Sequence, residues 1–369
     1  MDFNINLKFQ PSQWFLGVLA EVNEKYADWT DGSYDWANQT TDFLHNPVPI
    51  PQFDASLFET PLSRRAVNDL LNMAVAIMAG NYPLVRHYLK NIRFAFVIGY
   101  PRSGGSYLAK ELLRTLDLDH KRVSEALAHD GFPELRDIWY DWNGNRPYYH
   151  LQDAIFQTAE FLVIANLYYQ IKTKPQPEGI WLAPKKMHKI INWGGSFKML
   201  LGQGKADYLV TIRNPLPTAI SVYEKSGGLP EDRRFPAKTA RSAIERWILT
   251  DLQMLGYPLN QIAEMEYFDA VQVSWSSFYA RLATCGMFLG DREEIRLIPY
   301  GKPELEGVMA KFRERYGVGR AKDTAPEAVL VHDKSNEHPQ WQKRARIATD
   351  SMRALWESLG LNFPKLSMD

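Results

Sequence analysis

The stretch Phe94-Ala-Phe-Val-Ile98 followed by Gly99-Tyr-Pro-Arg-Ser-Gly-Gly-Ser106 sets the architecture expected of this chain. Its first five residues form a short apolar run closed by a turn, the pattern of a strand buried on both faces of a parallel sheet. The next eight have the spacing of a phosphate-binding loop, with Gly99 and Gly104 at the glycine positions and Ser106 at the hydroxyl position. Gly105 stands where the lysine of an NTPase loop belongs, and a cation, Arg102, sits inside the turn instead. A Gly-rich turn feeding a helix still aims backbone N–H groups and a positive dipole end at an anion. It lacks the side chain that grips β- and γ-phosphates, so it suits a nucleotide with a shorter, differently substituted anion chain.

Strand and helix signals alternate on the C-terminal side of this turn. Helices are predicted at Tyr107–Leu116 and Ala154–Gln170, and a strand at Ile180–Ala183. A second buried strand, Tyr208-Leu-Val-Thr-Ile212, ends in Arg213-Asn-Pro, and Pro215 occupies the favoured first position of a helix carrying Ser221. Helices at Ala243–Leu255 and Trp275–Ala283 precede a strand at Ile295–Ile298, and Glu304–Tyr316 and Trp341–Leu359 read as closing helices. This alternation predicts an α/β fold, a doubly wound parallel sheet with its site at the C-terminal strand ends. Residues 1–60 read as an irregular arm with a helix near Gln13–Tyr26, and Ser63–Met78 carries apolar residues at helical spacing. The expected division is a mainly helical N-terminal extension over 1–90 and an α/β domain over 91–369.

Composition narrows the function. Hydrophobic residues at 45% and charged residues at 23% of 369 suit a globular protein with a sizeable core. Lys+Arg and Asp+Glu balance at 43 each, so no global field points to nucleic acid, and basic residues must act locally. The lone Cys285 permits no internal disulfide and reads as a buried structural thiol in a reducing compartment. Neither a signal peptide nor a run of about 18 apolar residues is evident, so the expectation is a cytoplasmic, soluble protein.

Two strand-end loops carry the chemistry. The first is the turn from Arg102 to Ser106; the second is Arg213 with Ser221 eight residues later. An arginine at a strand end and a hydroxyl on the next helix hold a phosphate by charge-assisted hydrogen bonds. An ATPase would often end such a strand in Asp to hold magnesium. Two separated anion sites therefore point to a nucleotide phosphorylated at two places on its ribose.

On these residues the chain resembles the sulfotransferases that use 3′-phosphoadenosine-5′-phosphosulfate (PAPS). Pro101-Arg-Ser-Gly-Gly-Ser-Tyr-Leu108 is similar to their loop Pro-Lys/Arg-Ser-Gly-Thr-Thr-Trp-Leu, and Arg213-Asn-Pro with Ser221 to their 3′-phosphate motif. Lys185-Lys-Met-His-Lys189 resembles the Lys-Thr-His stretch of cytosolic members. The resemblance implies a nucleotide-kinase-like P-loop fold and sulfonate transfer to a hydroxyl of a small-molecule or lipid-like acceptor. It further implies that Ser103, Gly104, Gly105 and Ser106 bind the 5′-phosphosulfate, that Tyr107 stacks on adenine, and that Arg213 and Ser221 hold the 3′-phosphate. Arg102 would stabilise charge on the bridging oxygen, His188 would act as general base, and Lys186 would add positive charge.

Departures from the family pattern leave alternatives. Arg102 replaces the usual lysine, Gly105 removes one hydroxyl ligand, and the later Arg-Lys-Gly clamp has no counterpart unless Lys334 in Asp333–Pro339 supplies it. Glu125 rivals His188 as the base, with His129 and His150 behind it, and Lys185, Lys186 and Lys189 alone would read as a solvated charge run. An ATP-dependent kinase and a catalytically silent bisphosphate-binding protein are the competing functions. The acceptor pocket is expected from residues 120–160, with the aromatics Trp139 to Tyr149, from the loop Lys225–Lys238 and from the N-terminal arm. Gly227-Gly228-Leu229-Pro230 reads as a lid. Acceptor identity and oligomeric state are not legible.

Overall fold

The computed structural model describes residues 11, 13–22, 60–116, 118, 151–176, 178–192, 194–316 and 338–367. In chain order the first elements are α1 (Gln13–Val22), α2 (Pro61–Met78), α3 (Tyr82–Tyr88), β1 (Ile92–Gly99), α4 (Gly105–Thr115) and α5 (Leu151–Lys172). Next come β2 (Trp181–Lys186), a 3-10 turn (His188–Asn192), α6 (Gly194–Leu201), β3 (Ala206–Ile212) and α7 (Pro215–Lys225). The last are α8 (Ala243–Met254), α9 (Leu259–Glu264), α10 (Tyr267–Thr284), β4 (Ile295–Pro299), α11 (Lys302–Tyr316) and α12 (Pro339–Ser358).

The strands form one parallel four-stranded sheet in the order β2-β1-β3-β4. Phe96 lies opposite Lys185 on one side and Tyr208 on the other, which fixes the register of β2, β1 and β3. From β1 the chain steps to β2, then crosses to β3 on the opposite flank. The loops after β1 and β3 therefore diverge, and a crevice opens between them at the C-terminal edge.

Helices cover both faces, which is why β1 and β3 read as continuous apolar runs. On one face Phe94 and Phe96 stack at 5.4 Å and meet Phe161 of α5, and Phe96 meets Phe197 of α6 edge-on at 5.5 Å. On the other face α4 packs on β1 and β2 and against α11, which lies along β4. Helices α1 and α2 pack on α5, while α7, α10 and α12 pack together around the buried Trp275, Trp341 and Trp356.

Helix starts follow their caps. Thr60 Oγ1 accepts from the Ser63 N–H (3.2 Å) ahead of α2, Asn214 Oδ1 accepts from the Leu216 N–H (3.0 Å) ahead of α7, and Ser242 caps α8. Pro61 and Pro215 each open their helix at the position where a missing N–H costs nothing.

The expected alternation of strands and helices is present, with shifted boundaries. Strand β2 extends beyond Ala183 to Lys186, and Lys185 and Lys186 are only 1% and 6% exposed, so they are not a solvated charge run. Helix α10 starts at Tyr267, well before Trp275, because the buried residues Phe268, Val271 and Ser274 continue its inward face. The short helices α3, α6 and α9 and the 3-10 turn carry too few residues for a periodic pattern to mark them. The helix begun at Gln13 is described to Val22, and residues 23–26 lie outside the described residues. No helix among the described residues is long and apolar enough to cross a membrane.

At the edge of the sheet away from the crevice, Asp207 is 1% exposed and shared by two arginines. Arg93 donates to both its oxygens (3.0 and 3.1 Å), Arg315 adds a third bond (2.9 Å), and the Tyr316 hydroxyl donates a fourth. Removing one partner of a buried pair leaves an uncompensated charge. Asp207→Ala is expected to lower unfolding stability by about 3 kcal/mol in urea titrations, and a loss indistinguishable from zero would show that Asp207 does not hold this edge.

Candidate anion-binding site

The crevice is built on a contact that excludes any side chain at Gly99. A Cβ there would lie 2.2 Å from Thr211 Oγ1 and 2.5 Å from Ser103 Oγ. This closeness lets Ser103 and Thr211 share a hydrogen bond (2.9 Å), which ties the first loop to β3. Gly104 then takes a left-handed conformation (φ 93°) as the N-cap of α4, where a Cβ would strike the Tyr300 ring at 2.8 Å. No side-chain hydrogen bond from the N-cap residue closes the start of α4, the end of a helix at which backbone N–H groups and the dipole favour an anion.

Arg102 is also left-handed (φ 70°), a strained state for a residue with a Cβ. This geometry directs its side chain across the crevice, where Nε donates to Ser221 Oγ at 3.0 Å. In return, Arg213 Nη1 donates to the Arg102 carbonyl at 3.2 Å. The sequence suggested two separate cradles; the structure joins them through Arg102.

Arg213 is 5% exposed, and its guanidinium carbon lies 4.2 Å above the centre of the Tyr300 ring. Its Nε is buried without a hydrogen-bond partner among the described residues. Helix α10 fixes the backbone beneath it: Trp275 Nε1 donates to the Arg213 carbonyl and the Tyr279 hydroxyl to the Thr211 carbonyl, both at 2.9 Å. Burial pushes the Arg213 guanidinium below its ordinary value; Tyr300 opposes that shift and the charge of Arg102 adds to it. Arginine nonetheless stays protonated. Among the described residues no carboxylate forms an ion pair with Arg102 or Arg213. Two converging guanidinium groups with no counter-ion among the described residues present the charge pattern that an anion would meet.

Lys186 reaches the same loop from β2. A Cβ on Gly105 would lie 3.3 Å from Lys186 Cε, so this side chain runs beside the position where the loop lacks its own lysine. The pleat sends Lys185 to the opposite face, where Nζ lies 5.7 Å from the centre of the Phe161 ring. His188 opens the 3-10 turn after β2, with Nδ1 hydrogen-bonded to the Gly99 carbonyl. A carbonyl only accepts, so in the neutral ring Nδ1 carries the proton and Nε2 keeps its lone pair.

Around the two loops the structure thus gathers Arg102, Ser103, Gly104, Gly105, Lys186, His188, Arg213 and Ser221. Ser106 and Tyr107 lie on the first turn of α4. Burial, with the charges of Glu111 and Glu306, raises the Tyr107 hydroxyl. Glu125, His129, His150, Lys334 and the aromatics from Trp139 to Tyr149 lie outside the described residues. The glycine loop is tethered: the Gly228 N–H donates to the Tyr223 carbonyl (2.8 Å) and the Gly228 carbonyl accepts from Arg241 (2.9 Å). Cys285 is half-buried, and burial raises its thiol. Tyr300, Trp275, Tyr279 and Thr211 were missed from sequence; Thr211 and Tyr300 stand at or just past strand ends, the signal that marked Arg213. No protein-family model, curated protein or solved structure matches this chain.

A buried cation without a counter-ion destabilises the fold that carries it. Arg213→Met should raise unfolding stability by about 1 kcal/mol while weakening binding of adenosine 3′,5′-bisphosphate about tenfold or more, measured by denaturant titration and calorimetry on one preparation. Loss of stability together with retained binding would contradict an anion role for Arg213.

Proposed function

We propose that this chain is a PAPS-dependent sulfotransferase of the P-loop, nucleotide-kinase-like type, with an N-terminal extension, acting on a hydroxyl of a small-molecule or lipid-like acceptor. The observation that carries this reading is the arrangement of Arg102, Ser221 and Arg213 across one crevice, with a buried Arg213 Nε that no described residue satisfies. PAPS, when bound, supplies an activated sulfonate on its 5′-phosphate and a second phosphate at the 3′ carbon. The residues present fit those two anions.

In this reading the N–H groups of Ser103 to Ser106 and the Ser106 hydroxyl hold the 5′-phosphate and sulfonate, and Tyr107 stacks on the base. Arg213 and Ser221 hold the 3′-phosphate. Arg102 keeps Nε on Ser221 and turns its terminal nitrogens, which no described group engages, toward charge building on the bridging oxygen. His188 Nε2 takes the acceptor proton, the tautomer being set by Gly99. Lys186 adds positive charge beside the loop. The chemistry asked of the protein is positioning and electrostatic stabilisation. A cytoplasmic site of action belongs to the same proposal, on the single cysteine.

One observation favours a second reading. The approach of Lys186 to Gly105 could replace the missing loop lysine, which suits an ATP-dependent kinase. Calorimetry separates the two. Adenosine 3′,5′-bisphosphate is expected to bind roughly tenfold or more tighter than adenosine 5′-phosphate, and Ser221→Ala should erase most of that preference. Arg102→Ala and His188→Ala should each abolish transfer of labelled sulfonate, with bisphosphate affinity kept in His188→Ala. Equal affinity for the two nucleotides, or magnesium-dependent phosphoryl transfer from ATP, would overturn the assignment.

A further inference from the structure

Beyond α12 the chain turns back into the core. Gly360 takes a left-handed conformation (φ 67°), the state that a glycine reaches without opposition from a Cβ. The turn closes through the Gly360 N–H to the Glu357 carbonyl and the Leu361 N–H to the Trp356 carbonyl, both at 2.9 Å. Arg292 donates to the Gly360 carbonyl at 3.1 Å and pins the turn from outside. Pro364 then biases the residue before it toward extended backbone, and the segment alternates. Leu361 and Phe363 are buried, whereas Asn362 and Lys365 are exposed. The ring that this turn delivers to the core is Phe363.

Phe363 meets three aromatic rings edge-on, Trp356 at 5.2 Å, Tyr279 at 6.1 Å and Trp275 at 6.2 Å. Trp275 and Tyr279 lie 5.0 Å from each other. Edge-to-face contacts depend on orientation, so the tilt of each ring is set by its neighbours. Tilt matters here because both rings end in donors to backbone at the crevice, Trp275 to the Arg213 carbonyl and Tyr279 to the Thr211 carbonyl. The two carbonyls do not depend on these donors equally. Thr211 is paired with Gly99 of β1 and with Ile298 of β4, so the sheet itself keeps it in place. Arg213 lies just beyond the last pair, Ile212 with Pro299, and its carbonyl is held by the Trp275 indole instead.

We infer that Phe363 is a positioning residue for the second anion loop: by fixing the tilt of Trp275 it sets where Arg213 stands, and so how tightly a 3′-phosphate is held. The inference rests on the sulfonate-transfer reading, in which Arg213 meets that phosphate, and adds to it a residue from the segment after the last helix. Phe363 acts through Trp275 and not on the nucleotide. Its effect passes along one hydrogen bond, from Trp275 Nε1 to the Arg213 carbonyl, to a guanidinium whose own bonds are short and directional. A displacement of about 1 Å is enough to weaken such contacts. The first loop is fastened separately, by the bond between Ser103 and Thr211 and by the close packing at Gly99. Loosening Trp275 therefore acts on the 3′-phosphate and spares the 5′-phosphate.

Calorimetry on the full chain, with adenosine 3′,5′-bisphosphate and adenosine 5′-phosphate as probes, tests this. Phe363→Leu and Phe363→Met both keep an apolar side chain in the core and remove the ring. Each should cut the preference for the bisphosphate about fivefold and leave adenosine 5′-phosphate affinity within about twofold. Trp275→Phe, which removes the N–H, should cut the preference at least as far, and adding Phe363→Leu to it should cost no further preference. A side chain that only stabilises the fold would lower the unfolding midpoint while weakening both nucleotides alike or neither. Either result, in whichever Phe363 variant folds, would overturn the inference and leave the transfer reading intact, as would additive losses in the double variant. Equal affinity of the unsubstituted chain for the two nucleotides would instead remove the transfer reading on which the inference rests.

Discussion

Two guanidinium groups share one crevice with no described carboxylate between them, and the surrounding packing is arranged around that unfavourable fact. Arg213 could leave the interior only by abandoning the Tyr300 face and the Arg102 carbonyl. Arg102 holds its reach to Ser221 only because the loop accepts a left-handed backbone at a residue with a side chain. Like-charge proximity and an off-region φ each cost on the order of 1 kcal/mol or more. Such costs persist where rigid surroundings over-determine the geometry, and an anion placed between the two charges would offset them.

The rigid surroundings are identifiable. Gly99 lets β1 end within hydrogen-bond reach of β3, so that Ser103 and Thr211 lock the loop onto the neighbouring strand. From the far side, α10 presents Trp275 and Tyr279 one turn apart, each holding a carbonyl at the end of β3 or just beyond it. The same helix sets the Phe278 ring edge-on to His188 at 6.5 Å. A single buried helix therefore supports the backbone at Arg213 and the environment of the proposed base. The N-terminus of α12 adds a further brace: Trp341 and Arg344 both donate to Glu266, at the start of α10.

Much of the crevice's geometry was legible because it obeys local rules. Arg102 to Ser106 and Arg213 follow apolar runs, and Pro215 with Asn214 marks the helix start that carries Ser221. Position within a strand was less legible. Lys185 and Lys186 look like two solvated cations, since charge argues against burial; the sheet places one beside the loop and the other over Phe161. Tyr300 and Trp275 gave no signal, because a cation–π contact and an indole donor are recognised only by the partner that the fold brings to them. Phe363 likewise reads as one apolar residue after the last helix.

The amino-acid sequence by itself determined that strands and helices alternate and that a Gly-rich turn and an Arg-Asn-Pro turn end two of the strands. Those properties depend on backbone preferences and on periodicity within a few residues. That the loops lie side by side, that Arg102 bridges them, and that His188 sets Nδ1 against the Gly99 carbonyl depends on strand order and on contacts between residues far apart in the chain. Local composition carries no record of which distant backbone will pass within hydrogen-bond reach, so that information exists only once the sheet has assembled.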